Sequence, residues 1–407
     1  MAAAEASIEE LELSDPPCLH TISAFLSMEP PDVVISFARD CGKGLITERL
    51  QHFIWIHCIN RTDVKPYPPY LRSFLKKLIF EIESSGEVVI DELYEKYVYQ
   101  TSMKGSVSVK ENERLSKRIS FLFPRDCSNL PSCPKSRKLE VLLHCSVNLL
   151  EGDTGCSIWP SCLFLSEFIL SFPEIFANKS CFEVGSGVGL VGICLAHVKA
   201  SKVILSDGDL LTLANMKLNL ESNKITARNH LLDHTIDSNT QSVHEIFDAT
   251  FSMDHPKTVF LCFSTGVQCL HLPWESAAEN GLQQINPDIV LGADVIYDPL
   301  CLPHLIRVLA ILLNQDSSND GSLGKSTRNN EQNDANLQDG LPRLPVAYIA
   351  SVVRNIDTFN CFLTLADEAN LSVLDITERA KPFDLLPYAK SYQQSSIRML
   401  CVSYLSK

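Results

Sequence analysis

The sequence predicts an α/β chain: a doubly wound sheet with helices on both faces fills the C-terminal part, and a mainly helical region precedes it. Three observations carry that expectation. Apolar residues recur at helical spacing before residue 100, short apolar strands alternate with amphipathic helices after about residue 140, and one of those strands runs into a glycine-rich turn that opens a helix. With 407 residues the chain exceeds one ordinary domain. It divides into a helical domain over 1–103, a basic linker over 104–139 and an α/β domain over 140–407.

Residues 17–100 read as helical. Leu71, Phe74, Leu75, Leu78, Ile79 and Ile82 recur three and four apart, Lys76, Lys77, Glu81 and Glu83 lie between them, and Pro66-Tyr67-Pro68-Pro69 marks the helix start. A second short helix is expected over Asp91–Gln100. From Lys104 to Lys138 nine basic residues stand against three acidic ones, with Pro124, Pro131 and Pro134. That stretch reads as a solvated connector, with a docking surface for an acidic or RNA-containing partner as the sharper alternative.

Beyond it, strands are expected at Cys181–Val184, Val203–Ser206, Val267–Leu272, Asp288–Ala293, Val346–Val352, Leu371–Thr377 and Ile397–Leu405. Helices are expected at Ser161–Ser171, Leu190–His197, Asp209–Ser222, Leu302–Asn314 and Ile356–Asn370. The last two strands leave no room for a regular crossover helix, which makes the final strand antiparallel. The tract 314–340 is polar and nearly devoid of large apolar residues, so a disordered loop is expected there.

Hydrophobic residues make up 45% and charged residues 21%, enough apolar content for a sizeable core. The net charge of −14 is uneven: residues 1–150 hold 18 basic and 20 acidic side chains, residues 151–407 hold 17 and 29. So acidic a C-terminal part argues against nucleic acid as the main partner. Fifteen cysteines occur without a single Cys-x-x-Cys pair, which speaks against structural zinc and for free thiols in a reducing compartment. The start, MAAAEASIEELELSDPP, has neither a basic nor an apolar signal segment, and no apolar run reaches the ~18–20 residues of a membrane span. The expectation is a cytoplasmic monomer with no metal and no membrane contact.

The strongest local signal is Cys181-Phe182-Glu183-Val184-Gly185-Ser186-Gly187-Val188-Gly189-Leu190-Val191-Gly192, a strand, a glycine turn and a helix start. Such a turn brings backbone N–H groups close to a ligand. Gly187-x-Gly189-x-x-Gly192 fits the dinucleotide fingerprint, with Asp207 20 residues past Gly187. Glu183-x-Gly185-x-Gly187-x-Gly189 fits equally the first motif of S-adenosylmethionine-dependent methyltransferases, where Asp207 would accept the ribose hydroxyls. Three features favour the second: a helix precedes the turn, the chain contains no Tyr-x-x-x-Lys pair, and the fourth strand ends in Gly292-Ala293-Asp294-Val295-Ile296-Tyr297. In an open α/β sheet the ends of the first and fourth strands flank the ligand crevice. An Asp-x-x-Tyr there can face an amine, although Asp294 alone reads as well as the cap of a turn.

The Gly motif, Ser206-Asp207, Asn219 with Asn223, Pro273-Trp274 and Ala293-Asp294-x-x-Tyr297 together resemble the family-16 type of seven-strand protein-lysine methyltransferases. Within that group the chain is similar to the elongation factor 2 lysine methyltransferase family, which has its own N-terminal helical region. The supporting segments are Tyr67-Pro68-Pro69, Asp91–Tyr94, Thr154–Trp159, Ala350–Asn355 and Phe383 through Tyr388. The resemblance implies a seven-stranded Rossmann-like methyltransferase domain, S-adenosylmethionine as cofactor and a protein substrate, with elongation factor 2 the expected one. It implies cofactor contacts for Trp159, Gly185, Ser186, Gly187 and Asp207, with Trp274 on the adenine and Ala293 at its edge. Asp294 and Tyr297 fall on the substrate-lysine side as the catalytic pair. The stretch 224–266, the 314–340 tract and the basic 104–138 region look like insertions. A phosphate-loop lookalike at Asn319–Ser326 lacks its first glycine and a preceding strand.

Overall fold

The computed structural model describes residues 15–62, 66–102, 114–146, 153–225, 227–228, 260–263, 266–314 and 345–405. The polar tract after Asn314 and the phosphate-loop lookalike lie outside the described residues.

Proline opens three of the five N-terminal helices: α1 (Pro16–Leu26), α2 (Pro31–Cys41) and α4 (Pro68–Ser84) carry it in their first turn, where its missing N–H has no helical partner to lose. Between them α3 (Glu48–Ile54) ends in a π turn over Trp55–Ile59, and α5 (Asp91–Ser102) completes the set. The six apolar positions expected to form a stripe on α4 are all buried.

The basic stretch is not an irregular linker. Arg114–Leu122 forms β1 and pairs antiparallel with β2 (Lys138–Ser146). Its charges mask a buried end: Ile119, Phe121 and Leu122 are buried, and Arg118 reaches Glu140 on β2 at 3.4 Å. The partner strand buries Val141, Leu143 and Cys145, and its backbone edge is knitted to α9 (Leu210–Ser222) and its C-cap by asparagines. The Asn223 amide bonds both the N–H and the carbonyl of Leu142, at 3.0 and 2.7 Å, while Asn219 does the same for His144 at 2.7 and 3.2 Å. These side chains imitate the edge of a strand, which accounts for two asparagines four residues apart on one helix face.

The C-terminal helices and strands follow in order: α6 (Pro160–Ser171), α7 (Pro173–Phe176), β3 (Ser180–Val184), α8 (Leu190–His197), β4 (Lys202–Asp207), α9, β5 (Ala227–Arg228), β6 (Phe260–Phe263), β7 (Val267–His271), α10 (Glu279–Gln283), β8 (Ile289–Ala293), α11 (Leu302–Leu313), β9 (Val346–Val352), α12 (Ile356–Glu368), β10 (Leu371–Asp375) and β11 (Ile397–Tyr404). They build one sheet in the order β10-β11-β9-β8-β3-β4-β7-β6-β5. All seven expected strands are present and adjacent. The two additional short strands, β6 and β5, extend the sheet antiparallel beyond β7, within the 224–266 stretch. The final strand inserts antiparallel between β9 and β10, as expected.

One apolar cluster joins the N-terminal helices and the hairpin to one sheet face, from Phe25 and Phe74 through Phe121 and Val141 to Phe168 and Met399. The other face packs Leu305, Leu309 and Phe362 of α11 and α12 against Val290 and Ile349. Strand order reverses about β3, with β4 on one side and β8 on the other, so their carboxyl ends open a crevice.

Candidate active site

At the end of β3 the chain enters the left-handed region at Gly185 (φ 62°), where a Cβ would lie 3.1 Å from Val295 and 3.4 Å from the Trp274 ring. At Gly187 (φ 52°) it would lie 3.0 Å from the Gly155 carbonyl. Both positions therefore require glycine on conformational and steric grounds. Ser186 does not reach outward. Its N–H donates to Ser206 O at 2.8 Å and its hydroxyl accepts from Ser206 N at 3.0 Å, bracing the loop against β4.

Asp207, at the end of β4, accepts Gly187 N on Oδ2 and Asp209 N on Oδ1, each at 3.1 Å. Burial raises its pKa and these backbone bonds pull it back. Its carboxylate is thus tied to the loop with lone pairs left on both oxygens. Behind it Glu183 is 1% exposed, and its Oε2 has no hydrogen-bond partner. Burial, reinforced by the charge of Asp207, pushes its carboxyl well above the usual range.

Trp274 stands beside Gly185 on a short 3-10 turn. Arg307 of α11 holds that turn, donating to the carbonyls of Trp274 and Ala277 at 2.8 Å each. Ala293 closes β8, paired with Ala350 of β9.

Asp294 adopts φ 55°, a left-handed conformation that costs about 1–2 kcal/mol in a residue other than glycine. The residue is 8% exposed. Oδ2 accepts Ser161 N at 3.3 Å, while Oδ1 accepts Val352 N at 3.3 Å and the Arg354 guanidinium at 3.1 Å. Arg354 also lies over the Trp159 ring, 5.3 Å from its centroid. The Trp159 indole donates to Thr154 O at 3.0 Å. Tyr297 is 58% exposed. What desolvation it has, together with the negative groups Cys301, Asp207, Asp298 and Glu275, pushes its phenol up to about 12. It is neutral throughout the physiological range, a hydrogen-bonding group and not a base.

The fold thus gathers Gly185, Gly187, Asp207, Trp274, Ala293, Asp294 and Tyr297 around the ends of β3, β4 and β8, with Trp159 joined through Arg354. Sequence reasoning gave no role to Arg354 or Arg307. Arg354 had a legible signal, a lone cation just past the strand beside β8; Arg307 had none, since its partners are backbone carbonyls.

Residues 140–254 and 238–337 match the model of a family described as lysine methyltransferase. Over that stretch the chain is similar to the lysine methyltransferase family. A protein of Dictyostelium discoideum with no described activity is 31% identical over 245 residues, which cover 58% of this chain and 56% of that one. The chain thus spans just over half the length of that relative. Protein-lysine N-methyltransferase EEF2KMT of Homo sapiens is 26% identical over 310 residues, 75% of this chain and 73% of that one. Calmodulin-lysine N-methyltransferase of Arabidopsis thaliana is 41% identical over 68 residues, covering 16% and 22%.

The methyl donor of such a methyltransferase is S-adenosylmethionine, and the residues present fit it. The glycine cradle would be closed by any Cβ, the Asp207 carboxylate keeps free lone pairs, and the orphaned Glu183 oxygen sits at the root of the loop. Among the described residues, no cluster of three or more His, Cys, Asp or Glu could hold a metal ion. No described helix is long and apolar enough to cross a membrane.

Proposed function

We propose that the chain is a protein-lysine N-methyltransferase acting on elongation factor 2, with S-adenosylmethionine held by the glycine loop, Asp207, Trp274 and Ala293. The observation that carries this reading is the placement of the Asp207 carboxylate and the Asp294–Tyr297 pair at the ends of strands on opposite sides of β3. One end suits ribose hydroxyls and the other an amine. The similarity of the N-terminal segments to elongation factor 2 methyltransferases supports the substrate, and the relation to human EEF2KMT extends over 75% of the chain.

When bound, S-adenosylmethionine supplies a methyl group on an electrophilic sulfonium. A lysine amine has a pKa of about 10.4, so it reaches the site as an ammonium and must lose a proton before its nitrogen can attack. Asp294, fixed by two backbone N–H groups, accepts a hydrogen bond from the amine and points its lone pair along the crevice. Tyr297 walls the slot with a neutral ring and hydroxyl, and Trp159 forms its other side. Alignment and exclusion of water supply the acceleration, with no covalent bond to the protein.

Transfer of labelled methyl into a cytosolic extract whose elongation factor 2 is unmethylated tests the proposal. Wild type should label elongation factor 2. Asp294→Ala should lose activity by about a hundredfold or more while S-adenosylhomocysteine still raises its melting temperature. Label in a different protein would keep the reaction and remove the substrate. No label despite S-adenosylhomocysteine binding would leave a binding module in place of an enzyme.

A further inference from the structure

The Asp294 carboxylate poses a difficulty for the reaction just proposed. A bare carboxylate stabilises an ammonium and so holds the lysine in its unreactive form. The charges that face the slot show how the fold removes that obstacle.

From β3, Glu183 faces inward with its carboxyl raised well above the usual range by burial. From α6, the Cys162 thiol is likewise raised by burial, with Glu183 and Asp294 among the negative groups acting on it. From the turn after β8, Tyr297 titrates only near about 12. The Cys162 thiol and the Tyr297 phenol are uncharged near neutral pH, and burial biases the Glu183 carboxyl towards its protonated form. Asp207 is tied to the glycine loop, Asp298 accepts Leu300 N, and Glu275 lies on the Trp274 turn. Asp357, in the first turn of α12, has its own N–H bonded to the Asn355 cap. Among the described residues the ion pair of Asp294 is with Arg354, at 3.1 Å. The Arg354 side chain is 43% exposed, yet two contacts anchor it, the carboxylate on one side and the Trp159 face on the other.

We infer that Arg354 is a positioning residue that sets the charge of the lysine slot, neutralising Asp294 so that the carboxylate orients the substrate amine without trapping it as ammonium. The inference rests on the lysine methyltransferase reading above. With Arg354 in place the carboxylate keeps lone pairs for a neutral amine, but its charge is already matched. A second cation brought beside the guanidinium is repelled, which lowers its pKa and favours release of the proton to solvent. Arginine suits this task because it stays protonated at any working pH and lies flat on an indole.

The test is the pH dependence of kcat at saturating protein substrate, which reports ionisations in the enzyme–substrate complex. Arg354→Gln removes the charge and uncovers Asp294. Its acid limb should move to higher pH by roughly 0.5–1 unit, with kcat at pH 7 down several-fold and KM unchanged or lower. Arg354→Lys keeps the charge and should keep the wild-type limb. An unchanged melting shift with S-adenosylhomocysteine verifies that both variants are folded and bind cofactor. Lower rates in both variants with unmoved acid limbs would reduce Arg354 to a structural prop and overturn the inference, as would a shift to lower pH. Wild type that methylates no lysine would instead overturn the reading on which the inference stands.

Discussion

Glu167 on α6 and Glu183 on β3 are both fully buried carboxyls, and their surroundings treat them in opposite ways. Glu167 is saturated. Oε1 accepts Leu385 N at 2.8 Å and Leu386 N at 3.1 Å; Oε2 accepts the Tyr392 hydroxyl at 2.6 Å and the Gln394 amide at 2.7 Å. Together these bonds clamp the 385–394 segment onto the helix that leads out of Trp159. Burial raises its pKa to about 7, with Tyr392, Gln394 and Leu385 pulling it back. Glu183 has the Ser186 hydroxyl to offset its burial and an Oε2 with no partner at all. A buried acid with every lone pair engaged is a staple. One left open beside a glycine cradle marks where a ligand or a water completes the shell.

The sharpest way to break this comparison is at the staple. Glu167→Ala leaves three buried donors and the half-buried Gln394 amide without an acceptor and should destabilise the fold by about 3–4 kcal/mol, measured by urea unfolding. A loss under about 1 kcal/mol would mean that the 385–394 segment is held by its apolar contacts instead. The pH dependence of stability gives a somewhat smaller effect. An unfolded glutamate ionises near 4.5, whereas folded Glu167 keeps its proton to about 7. The folded state binds more protons across that window, so the stability contributed by this group falls as pH rises from about 4.5 to about 7, by at most ~3 kcal/mol. Glu167→Gln should abolish that slope. Equal slopes in wild type and variant between pH 5 and pH 8 would place the pH dependence in other groups.

Neither glutamate's environment was legible in the sequence, although much around them was. The seven strands could be read because short apolar runs end in glycine or aspartate, and the cofactor loop because its parts lie within one strand–turn–helix. The hairpin was missed because Arg114, Lys117 and Arg118 dominate a strand whose buried apolar residues, Ile119, Phe121 and Leu122, are confined to its end. Glu167 sits inside the apolar run Phe164–Leu170, and its four partners lie more than 200 residues away. The Asp294–Arg354 pair spans 60 residues. Both are long-range pairings, and no local spacing rule reaches them.

Glu183→Gln is the smallest and most discriminating change. Burial biases the Glu183 carboxyl towards its protonated form, which has nearly the shape and charge of an amide, so the variant should melt with wild type and bind S-adenosylhomocysteine within about threefold, ~0.6 kcal/mol. Glutamine at 167 has no such licence, because each oxygen of that residue accepts two hydrogen bonds and an amide nitrogen in place of one oxygen accepts none. The same substitution thus separates the two sites by thermal melting and ligand titration. A loss of affinity beyond about tenfold (~1.4 kcal/mol) at position 183, with an intact melting transition, would show that Glu183 acts as an anion on the bound ligand. The open oxygen would then be a charged contact that the ligand brings out, and the contrast with Glu167 would become one of ionisation as well as of saturation.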